Sequence, residues 1–294
     1  MYTDTMTHPL RPFSALSILL LVLPLAAGAA GGPALKTGWR DLPEDSLTAH
    51  SAIVLDRKTG KVLYTKSPDL PWVAASLTKL MTSVIWMEQQ PRMSGTVSLT
   101  DEDEVGGGRL RVATGTILTS KDLLYCALVG SANNTAMAMM RTSGLPRDAF
   151  VREMNIRAAT LGMTQTTYVE PSGMDTGNVT SARDMATLAT YAFGNPTIRR
   201  AAQTGSYNFL TVSPTIVKSV KSTNALLLDP ANGLWITGGK TGYLEEARNN
   251  LVITVQTMRR DKELVVALLG ADTKQHSFAE TERLTKWAWE NYVW

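Results

Sequence analysis

Apolar residues along this chain change period, and the changes divide it. Ala52-Ile53-Val54-Leu55 and Val62-Leu63-Tyr64 are short apolar runs on either side of Lys58-Thr59-Gly60. That pattern predicts two strands joined by a hairpin turn whose glycine supplies a positive φ. From Ser76 the spacing becomes helical. Leu77, Leu80, Met81, Val84 and Ile85 recur three and four apart, and no Pro or Gly intervenes before Pro91. Helical patterns then dominate to about Phe193. Good examples are Arg147–Leu161, closed by Gly162, and Ala182–Phe193, preceded by Thr180-Ser181 as cap candidates. Strand-like runs return around Thr237, at Leu251–Val255 and at Leu264–Leu269. A last helix is predicted over about Phe278–Tyr292, with Phe278, Leu284, Trp287 and Ala288 as a stripe packed on the sheet. Strands at both ends with helices between predict an α/β chain of the α+β kind: an antiparallel sheet flanked by helices, with an inserted helical subdomain.

The N-terminus follows a different rule. Arg11 precedes an apolar run from Phe13 to Leu25, broken only by Ser14, Ser17 and Pro24, and small residues follow at Ala26-Ala27-Gly28-Ala29-Ala30. This reads as a secretory signal over residues 1–29, with cleavage after Ala29. The run is short for a spanning helix, so no stable membrane span is expected in the mature chain. Residues 30–49, rich in Gly, Pro and polar residues, read as a processed tail or linker, and 50–294 as the single sizeable domain.

Composition narrows the chemistry. The formal net charge is only +3 and no dense Lys/Arg run occurs, so nucleic acid is not a favoured partner. Cys126 is the only cysteine, which excludes an internal disulfide; it lies in an apolar helical run and reads as a packing residue. His8, His50 and His276 are scattered, with no partners at metal-ligand spacing. No metal site and no cofactor are expected, and the same scarcity argues against a Ser-His-Asp triad. Gly106-Gly107-Gly108 lacks the Gly-Lys-Ser/Thr of a phosphate loop and reads as a mobile loop near a substrate groove.

The candidate chemistry is an ordered set of three short motifs: Ser76-Leu77-Thr78-Lys79, Ser131-Ala132-Asn133 and Lys240-Thr241-Gly242. Residues three apart share a helix face, so Lys79 falls beside the Ser76 hydroxyl. Free N–H groups and the positive dipole end of the helix there favour a developing oxyanion. A serine needs a neighbouring base, and a lysine can serve once burial or nearby cations, Lys240 among them, lower its pKa. Ser-x-x-Lys occurs once; the other two motifs have copies, and context chooses among them. Lys58-Thr59-Gly60 is the hairpin turn, and Lys36-Thr37-Gly38 lies close to the processed N-terminus. Lys240-Thr241-Gly242 sits on a strand edge, where an ammonium, a hydroxyl and a backbone N–H can meet an anionic substrate end. Ser131-Ala132-Asn133, flanked by Gly130, reads as a loop between two helices; Ser222-Thr223-Asn224 reads as a turn or a hydrogen bonder behind the site.

With these motifs, Leu161-Gly162-Met163, Glu170-Pro171-Ser172-Gly173-Met174 and Thr180-Ser181-Ala182-Arg183-Asp184-Met185 complete a resemblance. From about His50 onward the chain resembles the low-molecular-mass penicillin-binding proteins of the D-alanyl-D-alanine carboxypeptidase/endopeptidase family. Phe150–Gly173 looks most like the endopeptidase branch. The resemblance implies a penicillin-binding/serine β-lactamase-like fold. It also implies cleavage of D-Ala-containing bonds in peptidoglycan stem peptides, inhibition by β-lactams, and a periplasmic or cell-wall-associated location. It assigns Ser76 as nucleophile, Lys79 as base, Ser131 as proton relay and Asn133 as a substrate holder that orients Lys79. Lys240 and Thr241 would bind a carboxylate, and the N–H groups of Ser76 and Tyr243, the latter just past Gly242, would form the oxyanion hole. One departure stands out: Ala247-Arg248-Asn249-Asn250 has an arginine where the family carries a glycine, close enough to bear on substrate choice. Two rival readings are a serine β-lactamase, with Glu170 as the deacylating acid, and a non-catalytic wall-binding protein on the same fold. Glu170 lacks the Leu-Asn expected after it in such a lactamase loop and reads as loop structure.

Overall fold

In the computed structural model the structure describes residue 1 and residues 32–294. The signal-sequence reading lies outside the described residues, apart from Met1. In chain order the strands and helices that position the site begin with β1 (Ala34–Leu35), β2 (Ser51–Asp56), β3 (Val62–Lys66), β4 (Trp72–Val73) and α1 (Thr78–Glu88). The helical insertion follows, with β5 (Thr96–Ser98), β6 (Ile117–Thr119), α2 (Ser120–Val129), α3 (Asn133–Arg141), α4 (Arg147–Thr160), β7 (Val179–Thr180), α5 (Ala182–Ala192) and α6 (Pro196–Ala202). The chain then returns through β8 (Ser206–Leu210), β9 (Val217–Lys221), β10 (Trp235–Leu244), β11 (Arg248–Gln256) and β12 (Glu263–Ala271), and ends in α7 (Lys274–Asn291) and β13 (Tyr292–Val293).

The main sheet has the order β10-β11-β12-β2-β3, antiparallel throughout. Its central strands are apolar at nearly every position because both faces are covered. On β12, Val265, Ala267 and Leu269 join the core under the helical insertion, while Leu264, Val266 and Leu268 join the core under α7. β11 and β2 divide the same way: Val252 and Ile53 face the insertion, and Ile253 and Val54 face α7. This alternation is the strand period of two, read on both faces. Helix α1 is buried from Thr78 to Trp86 and forms the centre of the insertion. Its buried Thr82 and Ser83 hydroxyls donate to the Pro171 and Lys79 carbonyls at 2.6 and 2.7 Å, so the enclosed helix leaves neither unpartnered.

Two expectations need correction. The part of 30–49 within the described residues is no linker. It belongs to the same compact unit as the rest. β1 pairs with β13, Lys36 Nζ donates to the Glu290 carbonyl at 2.7 Å, and the Glu280 carboxylate accepts from the Thr48 and Ala49 amides at 2.7 and 3.2 Å. A lysine on the last carbonyls of α7 is the usual partner for a helix C-terminus. The last helix also begins earlier than its apolar period suggests, at Lys274, where Thr273 Oγ1 accepts from the His276 amide at 3.0 Å. Its first turn is polar, so it left no periodic trace. Leu284 and Ala288 are fully buried on the expected stripe, and Phe278 and Trp287 flank it.

Candidate active site

The turn before α1 is held from three sides. Ser76 lies in a 3₁₀ turn, Ala75–Leu77, that runs into α1, so it precedes the α-helix rather than opening it. Ala75 has φ +48°, a left-handed backbone that costs a non-glycine residue energy and persists only where neighbours enforce it. One neighbour is β10: a Cβ on Gly242 would stand 3.0 Å from the Ala74 carbonyl and 3.3 Å from the Ser76 amide nitrogen. Another is the 170–174 loop, where a Cβ on Gly173 would meet the Ala75 carbonyl and carbon within 2.5 Å or less. The third is Asn250 on β11, almost fully buried. Its Nδ2 donates to the Val73 and Ala74 carbonyls at 2.9 and 3.3 Å, and its Oδ1 accepts from the Gly270 amide at 2.8 Å.

Lys79, one turn on, is fully buried behind Ser76. Its Nζ lies 2.9 Å from Ser76 Oγ, 2.6 Å from Asn133 Oδ1 and 2.5 Å from the Ser172 carbonyl oxygen. Burial pulls its pKa from 10.5 to about 7, against an opposing pull from the Glu170 carboxylate. A neutral amine has two N–H donors and one lone pair. Asn133 Oδ1 and the Ser172 carbonyl can only accept, so they take the two hydrogens. The lone pair is left facing the Ser76 hydroxyl, which is the geometry of a general base.

The second lysine repeats the theme. Lys240 on β10 is buried and donates to Ser131 Oγ at 2.7 Å and to the Thr241 carbonyl at 2.8 Å. Burial, then the charge on Lys79, hold its pKa well below the ordinary lysine value. Burial is the leading cause of the lowering at both lysines, and the repulsion between the two ammonium groups is mutual. Ser131 sits in the loop between α2 and α3 at φ +58°, and the Asn133 side chain donates to the Gly106 carbonyl at 2.8 Å.

These elements enclose a cleft of about 730 Å³. Ser76, Ser131, Asn133, Thr241, Gly242 and Tyr243 line it, with Gly107, Gly108, Met174 and Thr223. All eight residues singled out in the sequence meet here: six on the cleft wall and two lysines buried behind it. The other Lys-Thr-Gly copies do not. Gly60 turns the β2–β3 hairpin at φ +72°, and Gly38 sits in a separate turn at φ +76°. Thr223, from the other Ser-x-Asn copy, places its Oγ1 2.6 Å from Thr241 Oγ1, on the cleft side. Cys126 is buried, and burial raises its pKa, as a packing residue requires. Arg248 takes a left-handed φ, +51°, a backbone that glycine adopts without steric cost. Its guanidinium pairs with Asp272 at 2.5 Å, and it is not among the residues lining the cleft.

Sequence reasoning missed the Ser172 carbonyl and the clamp that holds it. The Glu170 carboxylate accepts from the Ser172 amide and hydroxyl at 2.6 and 2.5 Å, from the Gly173 and Met174 amides at 2.5 and 3.0 Å, and from Asn178 Nδ2 at 2.8 Å. A carboxylate followed by Ser-Gly two residues on is the trace this clamp left in the sequence. The loop reading of Glu170 therefore has a physical basis: its oxygens are spent on the loop. Among the described residues no His, Cys, Asp and Glu cluster could hold a metal, and no helix is long and apolar enough to cross a membrane.

A buried lysine base beside a serine, on a sheet-and-helix scaffold with the Lys-Thr-Gly strand opposite, defines a serine acyl-transfer enzyme of the Ser-x-x-Lys class. The chain belongs to the D-alanyl-D-alanine carboxypeptidase family of serine peptidases, whose sequence pattern matches residues 40–273. It is 33% identical to a D-alanyl-D-alanine endopeptidase of Pseudomonas aeruginosa over 276 residues, covering 93% of this chain and 87% of that one. It is 29% identical to the Escherichia coli protein of the same name, covering 92% and 85%. Among solved structures, the DD-transpeptidase of Streptomyces K15 superposes with a TM-score of 0.78 over 83% of this chain and 98% of its own, at 23% identity, which speaks of the fold alone.

Proposed function

We propose that this chain hydrolyses D-Ala-containing cross-links between peptidoglycan stem peptides through an acyl-enzyme on Ser76, in preference to releasing terminal D-Ala. The observation that carries the mechanism is the buried Lys79 amine with two fixed acceptors and its lone pair on the Ser76 hydroxyl. Ser76 Oγ attacks the scissile carbonyl as Lys79 takes its proton. The N–H groups of Ser76 and Tyr243 receive the oxyanion. The C–N bond then breaks as the proton on Lys79 is relayed through Ser131, held by Lys240, to the leaving amine, which returns Lys79 to its neutral form. Water attacks the ester, and Lys79 again carries the proton. Lys240 and Thr241 hold an anionic end of the substrate, and Asn133 holds its amide.

β-Lactams would acylate the same serine and leave slowly. The β-lactamase reading needs the Glu170 carboxylate free to activate water, and it has five donors on it already. The intact constellation weighs against a non-catalytic wall binder. The endopeptidase preference draws on the relatives that carry that name and on Phe150–Gly173. A secretory signal over 1–29 would deliver the enzyme to the periplasm, where its substrate is found, and residues 50–294 hold the whole constellation.

The deciding assay offers cross-linked muropeptide dimers and monomeric pentapeptides in one tube and follows both by chromatography. Dimers should disappear first. Faster loss of terminal D-Ala would reverse the preference.

A further inference from the structure

The catalytic cleft does not end at Ser131. Gly107, Gly108 and Gly130 line both the catalytic cleft and a second, polar cleft of about 900 Å³. None of these three residues brings a side chain to the wall that the two clefts share. A third recess of about 310 Å³ lies along the same 108–112 strap and shares Arg109, Arg111 and Gly130 with the polar cleft. Strand β9 closes it, with Val220 packed so close that a Cβ on Gly130 would stand 2.4 Å from Val220 Cγ1.

The charge around these two recesses is one-sided. Arg109 and Arg111 lie between them, and Lys218 and Lys221 on β9 line the smaller one. Glu104 is the one acidic side chain lining either recess, and it is engaged by Arg109 at 3.2 Å and by Asn134 Nδ2 at 2.8 Å. Among the described residues Arg111, Lys218 and Lys221 form no ion pair; Lys218 Nζ instead donates to the Arg111 carbonyl at 2.6 Å, which fixes the strap to β9. Arg111 and Lys221 are exposed. Unpaired cations beside a cleft attract anions over about a Debye length, and an arginine fork fits a carboxylate.

We propose that Arg111 and Lys221, with Lys218 behind them, form a subsite for the carboxylates of a second peptide strand, the one attached through the leaving amine. This rests on the cross-link reading above. A terminal D-Ala leaves as a single residue that the catalytic cleft can hold. A cross-linked substrate leaves as a peptide with its own carboxylates, and it needs a path out past Ser131, the residue that faces the leaving amine. The glycine floor is that path, and the cations lie along it.

Binding and turnover separate the two ideas. The full chain carrying Ser76→Ala is titrated with a soluble cross-linked muropeptide dimer, with the same dimer after its free carboxylates are amidated, and with a monomeric pentapeptide. Arg111→Gln and Lys221→Gln are added singly and together, with thermal melts to confirm folding. Lys58→Gln with Lys61→Gln, on the β2–β3 turn, removes the same charge elsewhere. The paired subsite change should weaken dimer binding about tenfold or more, the control pair less than about twofold, and the amidated dimer should bind the parent about as weakly as the dimer binds the subsite variant. Equal loss in both pairs, or no loss in either, overturns the subsite. Failure of the enzyme with Ser76 intact to cleave dimers would defeat the cross-link reading instead, whatever the binding shows.

Discussion

At the scale of single residues, the site turns on where two lysines keep their protons. The Lys79 pKa of about 7 has a direct kinetic reading. Below that pH the ammonium form dominates and has no lone pair for the Ser76 proton. Acylation by a penicillin should then fall about tenfold for each pH unit below the pKa and level off above it. With an ordinary lysine the same limb would keep rising to about pH 10. Rates measured from about pH 5 to about pH 9 decide the matter, and a profile still climbing at the upper end would contradict the lowered pKa of Lys79. Lys79→Arg should acylate at no pH, because arginine stays protonated. The approach of Lys79 to Ser76 was legible in the sequence, because three-residue spacing at a helix start is a local signal. The third partner of Lys79 was not. A backbone carbonyl from Ser172 has no side-chain signature, and only the folded loop brings it to 2.5 Å.

At the scale of elements, the strand β10 and the turn before α1 act as one unit. Gly242 shows no left-handed backbone, so its role is close approach rather than conformational freedom. Gly242→Ala should push β10 off the Ala74 carbonyl and the Ser76 amide, lower the acylation rate by about tenfold or more, and lower the melting temperature only modestly. Stopped-flow acylation with a thermal melt tests it; an unchanged rate would mean that the turn does not need β10 at this distance. Elements were legible where they carry their own punctuation. The helix over Arg147–Thr160 was expected at Arg147–Leu161, because Gly162 marks its end. Ser181 caps the helix over Ala182–Ala192 as expected, accepting from the Asp184 amide at 3.1 Å. The β8–β9 hairpin was not singled out. Its strands are half-exposed and mix polar with apolar residues, Ser206-Tyr207-Asn208 and Lys218-Ser219-Val220-Lys221, so neither period is clear. The two-residue strands β4 and β7 are too short to leave any pattern.

At the scale of the whole molecule, the proposed catalytic groups come from the insertion and from the returning strand β10. The hairpin β2–β3 and the strands β10–β12 form one sheet, and everything between them is the insertion that supplies Ser76, Ser131 and Asn133. The order of strands at both ends with helices between was enough to expect this. What it did not reveal was the closure of the ends on each other: Trp294 Nε1 donates to Asp56 at 2.8 Å, and the Tyr292 hydroxyl donates to the Leu63 carbonyl at 2.8 Å. Such contacts bridge more than two hundred residues and have no local trace. The central claim, a serine acyl-enzyme at the meeting of these segments, can be tested directly. The full chain is incubated with a fluorescent penicillin, digested, and the adduct located by tandem mass spectrometry. The adduct should lie on Ser76, persist as a slowly hydrolysed ester, and vanish in Ser76→Ala. An adduct on Ser131 or Ser172, or none on the unaltered chain, would contradict it.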